Sequence, residues 1–239
     1  MDDSLYYLSI NRQRGLIAEL TSIANNVANI DTPGFQREGM VFSEFVVGAG
    51  QGDSLSMADL NARFISPEPA TMRFTAGALD IAIEGDAYFA IEDAQGILLT
   101  RAGAFQRSEE GLLVTPRGDP VLDAGQAPIF LPADGGPIDI GRDGTISSGG
   151  VEQAVIGLFN APAGSLTRFA NTGFRAPEGI EPVLDARVTQ GALEGSNVDP
   201  VLEIARMIEV TRAYERVQSL IQDEDDRIQN VISTLGRPI

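Results

Sequence analysis

The stretch "LDIAIEGDAYFAIEDAQGILLTRAGAFQ", Leu79 to Gln106, decides the class of fold. Leu79, Ile81 and Ile83 alternate with Asp80, Ala82 and Glu84. That is the two-residue period of a strand with one face in a core. Gly85-Asp86 turns the chain, and a second strand runs near Tyr88 to Ile91. Ala94-Gln95-Gly96 turns it again into a third strand, Ile97 to Arg101. "EEGLLVTPRGDPVLD" (109–123) repeats the plan, and "APIFLP" (127–132), "PIDIGRDGTISS" (137–148) and "EQAVIGLFNA" (152–161) add short strands. Short strands separated by regular turn signals predict a mainly β central domain over 76–190, a small antiparallel sandwich or barrel-like body.

Outward from this middle the composition changes. Between Gly77 and Gly191 lie 18 of the 26 glycines. From Met1 to Thr32 there is one glycine and no proline, and from Ser196 to Leu235 no glycine and only Pro200. Both ends therefore permit helix. Leu16, Leu20, Ile23, Val27 and Ile30 are spaced by four and three, a heptad-like seam that predicts a helix over 4–29. Met207, Val210, Tyr214, Val217, Ile221, Glu224, Ile228, Val231 and Leu235 continue the same alternation at the other end, with Glu224 the one polar interruption. Asp199 before Pro200 reads as a cap followed by proline at the first helical position. Gly236 and Pro238 read as the stop. A helix from 200 to 235 spans about 50 Å.

A helix of that length with one narrow stripe needs another helix to cover it. Leu16, Leu20, Ile23 and Val27 are expected to pack against Met207, Val210, Tyr214, Val217 and Ile221, forming a coiled-coil-type core on assembly. The N-terminal seam is too short to cover Ile228 and Val231 as well, so other copies of the chain are expected to complete the contact. Residues 36–75 read as an extended or flexible connector, with Gly48-Ala49-Gly50-Gln51-Gly52 as its joint. The organisation expected is thus 1–35 with 196–239 as a helical core, 36–75 as connector, 76–190 as the β domain, and 191–239 as a C-terminal segment ending in the long helix.

Composition narrows the chemistry. The formal charge is −17, which opposes binding to a nucleic-acid backbone or an anionic membrane. There is no Cys and no His, and all 17 basic residues are Arg. Zinc and redox-metal sites, His-based acid–base catalysis and the usual nucleophilic dyads lack their residues. "VGAGQGD" (47–53) is not a G-x-G-x-x-G phosphate loop, and "DIGRDGTI" (139–146) lacks the ligand set of a calcium loop. No catalytic, metal-binding or cofactor residues are expected, and no cofactor. No apolar run is long enough to span a membrane, and the acidic start "MDDSLYYLSINRQRG" has no apolar core of a cleavable export signal. A β-domain hydrolase or ligand-binding module with helical ends is the alternative from another class; it needs a carboxylate pair or pocket that the sequence does not advertise.

One feature sits oddly in this scheme. "ANNVANIDTPGF", Ala24 to Phe35, ends the first helix with three asparagines, which are poor helix formers. Asn25, Asn26 and Asn29 lie three and four apart, so their amides, each both donor and acceptor, are neighbours on the helix. Thr32-Pro33-Gly34 turns the chain and aims Phe35 as an anchor. These residues are expected to make inter-subunit or junction contacts.

The same stretch resembles the N-terminal signature of the flagellar axial proteins, the rod and hook family, of form A-N-N-x-A-N-x-x-T-x-G-F. Ala24, Asn25, Asn26, Ala28, Asn29, Thr32, Gly34 and Phe35 fill every fixed position. "GALEGSNVDPVLEIARMIEVTRAYE" (191–215) resembles the family's C-terminal signature, matching Gly191, Leu193, Glu194, Ser196, Asn197 and Val198, then Met207, Ile208, Arg212, Ala213, Tyr214 and Glu215. "LDIAIEGDAYFAI" and "LLTRAGAFQ" are similar to its D-x-A-I-x-G-x-G-F-F and T-R-x-G-x-F elements, with Ala87 and Tyr88 in place of Gly and Phe. The resemblance covers nearly the whole chain, and its length and compact middle are most similar to the family's shorter rod proteins; a distal-rod subunit is the alternative. It implies that the terminal helices pair and polymerise into a helical tube with the β domain outside. It also implies partners among other copies, neighbouring rod proteins and the flagellar type III export apparatus, and a place in the periplasm-spanning rod without a cleaved signal.

Overall fold

The computed structural model describes residues 2–49, 53–132, 136–162 and 164–235, without the side chains of 2–8, 42–49, 53–63, 228, 231, 232, 234 and 235. The chain divides into two units: residues 1–28, 38–64 and 199–239 form one, and 29–37 with 65–198 form the other.

The first unit contains helix α1 (Asp2–Ala28), strands β1 (Glu38–Ala49) and β2 (Asp53–Ile65), which pair with each other, and helix α2 (Pro200–Leu235). Asp199 caps α2: its Oδ1 accepts the N–H groups of Val201 at 2.9 Å and Leu202 at 3.1 Å. Proline at the next position costs no hydrogen bond, because the first turn's N–H groups have no helical partner. The two helices run in opposite directions. Asn26 reaches Glu203, while Glu19, two turns back along α1, interacts with Arg206. Ile23, Val210 and Val217 are buried between them. Glu224, the polar interruption of the seam, is half-buried and forks onto Arg227, at 2.8 Å and 2.6 Å. The paired strands over 38–65 differ from the connector expected there. Of the joint read at 48–52, residues 50–52 lie outside the described residues.

The second unit is built from short strands. They are β3 (Met72–Phe74), β4 (Ile81–Glu84), β5 (Tyr88–Asp93), β6 (Gly96–Thr100), β7 (Gln106–Arg107), β8 (Leu113–Val114), β9 (Ile138–Ile140) and β10 (Thr145–Ser148). There follow β11 (Val151–Val155), β12 (Leu158–Asn160), β13 (Thr167–Arg168), β14 (Gly173–Arg175), β15 (Glu181–Pro182), β16 (Arg187–Gln190) and β17 (Ala192–Glu194). Its main sheet has the order β13-β14-β6-β5-β12-β15, and every described pairing is antiparallel. A three-stranded sheet β11-β10-β9 and two-stranded pairs β16-β4, β17-β3 and β7-β8 complete it. The protein is mainly β with a helix at each end, and its sheets are open. The barrel-like alternative is corrected: β13 and β15 remain separate edges of the main sheet.

Tyr88, Phe89, Ala90 and Ile91 are all buried, which alternation in a one-faced sheet would not give. Both faces of the main sheet are covered. Phe89, Ile91, Leu98 and Leu158 face one core, with Leu113, Val121, Ile129 and Ile146. Tyr88, Ala90, Leu99 and Phe159 face the other, with Leu122 and Phe174. Each of these large side chains contributes roughly 1.5–3 kcal/mol by leaving water. Gly103 permits the crossing beside β4, since a Cβ there would lie 1.7 Å from the Ile81 carbonyl oxygen.

Candidate functional site

Two of the amides and one aromatic of the Ala24–Phe35 stretch define two places, one in each unit. In the helical unit, Asn26 is 1 % exposed. Its Oδ1 accepts the Glu38 N–H at 3.0 Å, and its Nδ2 donates to the Glu38 carbonyl at 2.8 Å and to Glu203 Oε2 at 3.2 Å. The side-chain amide thus pairs with the backbone of the first residue of β1 as a neighbouring strand would, and satisfies groups no water reaches. Ser22, one turn earlier on the same face, donates its hydroxyl to the Glu38 carbonyl at 3.3 Å. Only a side chain carrying both donor and acceptor at this length closes that ring. This is the physical reason for an amide where a helix seam would otherwise be apolar.

Glu203 is fully buried and accepts from Asn26. Burial pushes the Glu19 carboxyl above its ordinary range; Arg206 partly offsets this, and the Glu203 charge adds to it.

Around this cluster the seam residues divide by depth. Ile23, Val210 and Val217 are buried; Leu16, Leu20, Val27, Met207, Tyr214 and Ile221 are half-buried. The side chains of Ile228 and Val231 lie outside the described ones. A second set of apolar residues on the same helices points outward: Ile17 on α1, and Val201, Ile204 and Ile208 on α2, the last three spaced by three and four. Val201 is 77 % exposed. Ala24 and Ala28 are exposed on α1 as well. The seam reading selected the inner stripe and passed over the outer one, although its period was visible in the sequence.

In the β unit, residues 29–37 form a tight turn bound into the sheet. Asn29 is buried, and its Oδ1 accepts the Thr32 hydroxyl at 3.1 Å. Gly34 has φ +70°, and a Cβ there would lie 2.2 Å from the Ala102 nitrogen, so only glycine fits. Its N–H donates to the Glu194 carbonyl at 2.9 Å. Phe35 has no exposed surface, and the Arg168 guanidinium stacks between its ring, at 4.7 Å, and that of Phe174, at 5.0 Å. Arg168 also donates to the Gln36 carbonyl. Tyr88, the aromatic that departs from the family pattern, donates its hydroxyl to Gln36 Oε1 at 3.1 Å.

The other signature arrives at the same turn. The Asn197 N–H donates to the Phe35 carbonyl at 3.2 Å, and its Oδ1 accepts the Arg37 N–H at 2.5 Å. Its Nδ2 donates to the Ser66 and Glu68 carbonyls, at 3.2 Å and 2.7 Å. Glu194 accepts the Ala70 N–H at 3.1 Å and pairs with the buried Arg101 at 3.2 Å. Arg101 in turn donates to the Gly85 carbonyl at 2.8 Å and lies 5.0 Å over the Tyr88 ring. Three sequence elements more than 60 residues apart, the turn, the T-R-x-G segment and the E-x-S-N segment, therefore close on one another.

Asn26 and Phe35 were expected at inter-subunit or junction contacts; within the chain, both are buried, Asn26 on the Glu38 backbone and Glu203, and Phe35 beneath Arg168. Asn25 is half-buried on α1. Arg168 and Gln36 were not foreseen, since nothing in "LTRFANTGFR" (166–175) marks its first arginine as a stacked cation. Among the described residues no group of three or more His, Cys, Asp or Glu side chains could hold a metal ion, and no helix is long and apolar enough to cross a membrane.

Comparison with known proteins gives matches along the chain. Residues 16–36 match the family model described as flagella basal body rod protein, 82–148 that of the flagellar hook protein FlgE/F/G D1 domain, and 189–234 that of the flagellar basal body rod FlgEFG protein C-terminal. The flagellar basal-body rod protein FlgF of Mesorhizobium japonicum is 39 % identical over 99 % of both chains. That of Rhizobium meliloti is 38 % identical, over 96 % of this chain and 97 % of its own. The flagellar basal-body rod protein FlgG of Bacillus subtilis is 26 % identical, over 95 % of this chain and 97 % of its own.

Proposed function

The chain belongs to the flagellar basal-body rod protein family and is a FlgF-like structural subunit of the rod, and from that premise we propose that its copies join through the outer face of the helical unit. The observation that carries this is the second apolar stripe. α2 commits Val210 and Val217 inward, yet leaves Val201, Ile204 and Ile208 exposed, and Ile17 of α1 is exposed as well. A rod subunit gains roughly 1.5–3 kcal/mol for each such side chain that a neighbour covers. Exposed Ala24 and Ala28 let a neighbouring backbone come close. The neighbours are other copies and other rod proteins, stacked into a helical tube by a contact that does not close on itself.

The same reading gives the chain its route and place. It is delivered uncleaved by the flagellar type III export apparatus, with its helical segments ordering as neighbours cover them, and it stands in the rod across the periplasm. Its role is assembly, and no catalytic chemistry is assigned to it. The identity to FlgF relatives exceeds that to the Bacillus FlgG, which favours the FlgF-like reading over a distal-rod subunit.

The test is the double variant Ile204→Asp, Ile208→Asp, introduced in place of the wild-type gene. Swimming should be lost while the purified chain keeps its helical circular dichroism, because both side chains are already exposed within one molecule. A strain that swims normally with both aspartates overturns the helical-face reading.

A further inference from the structure

The β unit carries a cleft and a knob that the terminal helices do not explain. The cleft, about 250 Å³, is walled by Ile91, Leu98, Ala102, Ala104 and Pro116, with Arg117 on its rim. Its walls are mainly apolar, with Thr32, Thr100, Thr115, Thr172 and Asp119 also among the lining residues. Arg117 is 71 % exposed, and its recorded carboxylate contact, to Asp119, is a loose 3.8 Å.

The knob is Leu184, which is 93 % exposed. It is held out on a firm base. Val183 and Ala186, on either side, pack against the core, and the Val183 N–H donates to the Leu158 carbonyl at 2.9 Å. Asp185 follows the knob and is exposed.

Knob and cleft stand apart on the main sheet. Leu184 follows β15, at one edge, and the cleft lies over β5, β6 and β14, toward the other. From β15 to β6 is three strand spacings, about 14 Å, which no leucine side chain spans. A knob at one end of a body and its socket toward the other meet only between molecules, head to tail. Such a contact builds either a closed ring or an open filament, as its rotation dictates.

We propose that Leu184 of one copy seats in the cleft of the next, with Asp185 against Arg117. The order of charge supports a second copy as the occupant: a carboxylate follows the apolar knob, and a cation sits on the apolar socket's rim. This contact is additional to the helical one, and it rests on the reading that copies of the chain associate.

The natural chain has no cysteine, so a disulfide between copies reports position directly. Full-length Leu184→Cys is mixed at high concentration with full-length Ala104→Cys carrying a larger tag, and the mixture is oxidised. A mixed-size dimer should form several-fold more than with the control pair Val151→Cys and Ala104→Cys. Adding Asp185→Arg to the first chain should lower the yield, and Arg117→Asp in the second should restore it. A parallel mixture of Ile17→Cys and Ile204→Cys chains, with Ile17→Cys and Val151→Cys as its control pair, reports the helical contact. If that pair cross-links while the Leu184 pair stays at the control level, the inference is overturned and the helical reading stands. If the Leu184 pair cross-links and the helical pair does not, the inference stands alone. If neither exceeds its control, both are overturned.

Discussion

Replacing Asn26 by Ala should destabilise the helical unit by roughly 3–5 kcal/mol. The figure follows from the groups left behind: the Glu38 N–H loses its acceptor, its carbonyl loses the better of two donors, and buried Glu203 loses a charge-assisted donor. A stranded buried group costs about 1–3 kcal/mol, and more when charged. Ser22 still donates to the Glu38 carbonyl, which keeps the sum from the top of that range. Asn26→Asp is the sharper test. It preserves shape and the acceptor at Oδ1 but replaces the donor by an oxygen, aimed at a carbonyl and a carboxylate. At pH 7 it should cost at least as much as alanine. As pH falls and the new carboxyl takes a proton, it regains a donor and part of the loss should return. Urea unfolding followed by circular dichroism at 222 nm reads the helices. With a slope of about 1–3 kcal/mol per molar urea, the alanine midpoint should fall by at least 1 M, an order-of-magnitude figure on that same slope. An aspartate variant as stable as wild type at pH 7 would refute the reasoning that Asn26 serves as a two-way bridge.

The other predictions concern charge and stacking. Burial raises the Glu19 carboxyl's affinity for its proton in the folded chain. Its contribution to stability is therefore full below the unfolded value of 4.5 and is lost as pH rises through the higher folded value. Glu19→Gln should raise the melting temperature at pH 7 and leave it unchanged near pH 4, by thermal scans at the two pH values. Arg168→Ala removes two ring contacts and the donor to the Gln36 carbonyl, a loss of roughly 2–4 kcal/mol. Arg168→Lys should recover little of it, because an ammonium cannot fill a planar gap between two rings; chemical denaturation of the three proteins checks both.

Much of the architecture was legible where the pattern was local. The three-and-four spacing from Met207 to Leu235 marked α2, and Asp199-Pro200 marked its start because capping involves adjacent residues. Gly85-Asp86 and Ala94-Gln95-Gly96 marked the turns around β5, and the strands fell where those turns allowed. The pairing of β1 with β2 was hidden by the glycines of 48–52, whose composition reads as a linker. The convergence of the signatures was hidden for another reason. Glu194 lies 93 residues from Arg101, and Asn197 lies 160 from Arg37. No periodicity encodes a partner at that range. The asparagines were recognised as unusual, but only the structure tells which amide meets a backbone group of its own chain.

The closing of the turn at Gly34 to Arg37 on Glu194 and Asn197 has a consequence in time. A chain that emerges from synthesis amino end first holds its early turn incomplete until the late residues arrive. The Phe35 carbonyl and the Arg37 N–H then have no native partner for most of that time, and the Arg101 guanidinium waits without its carboxylate. Premature compaction is discouraged by the order of the parts alone. The last quarter of the polypeptide acts as the clasp that fastens what the first residues began.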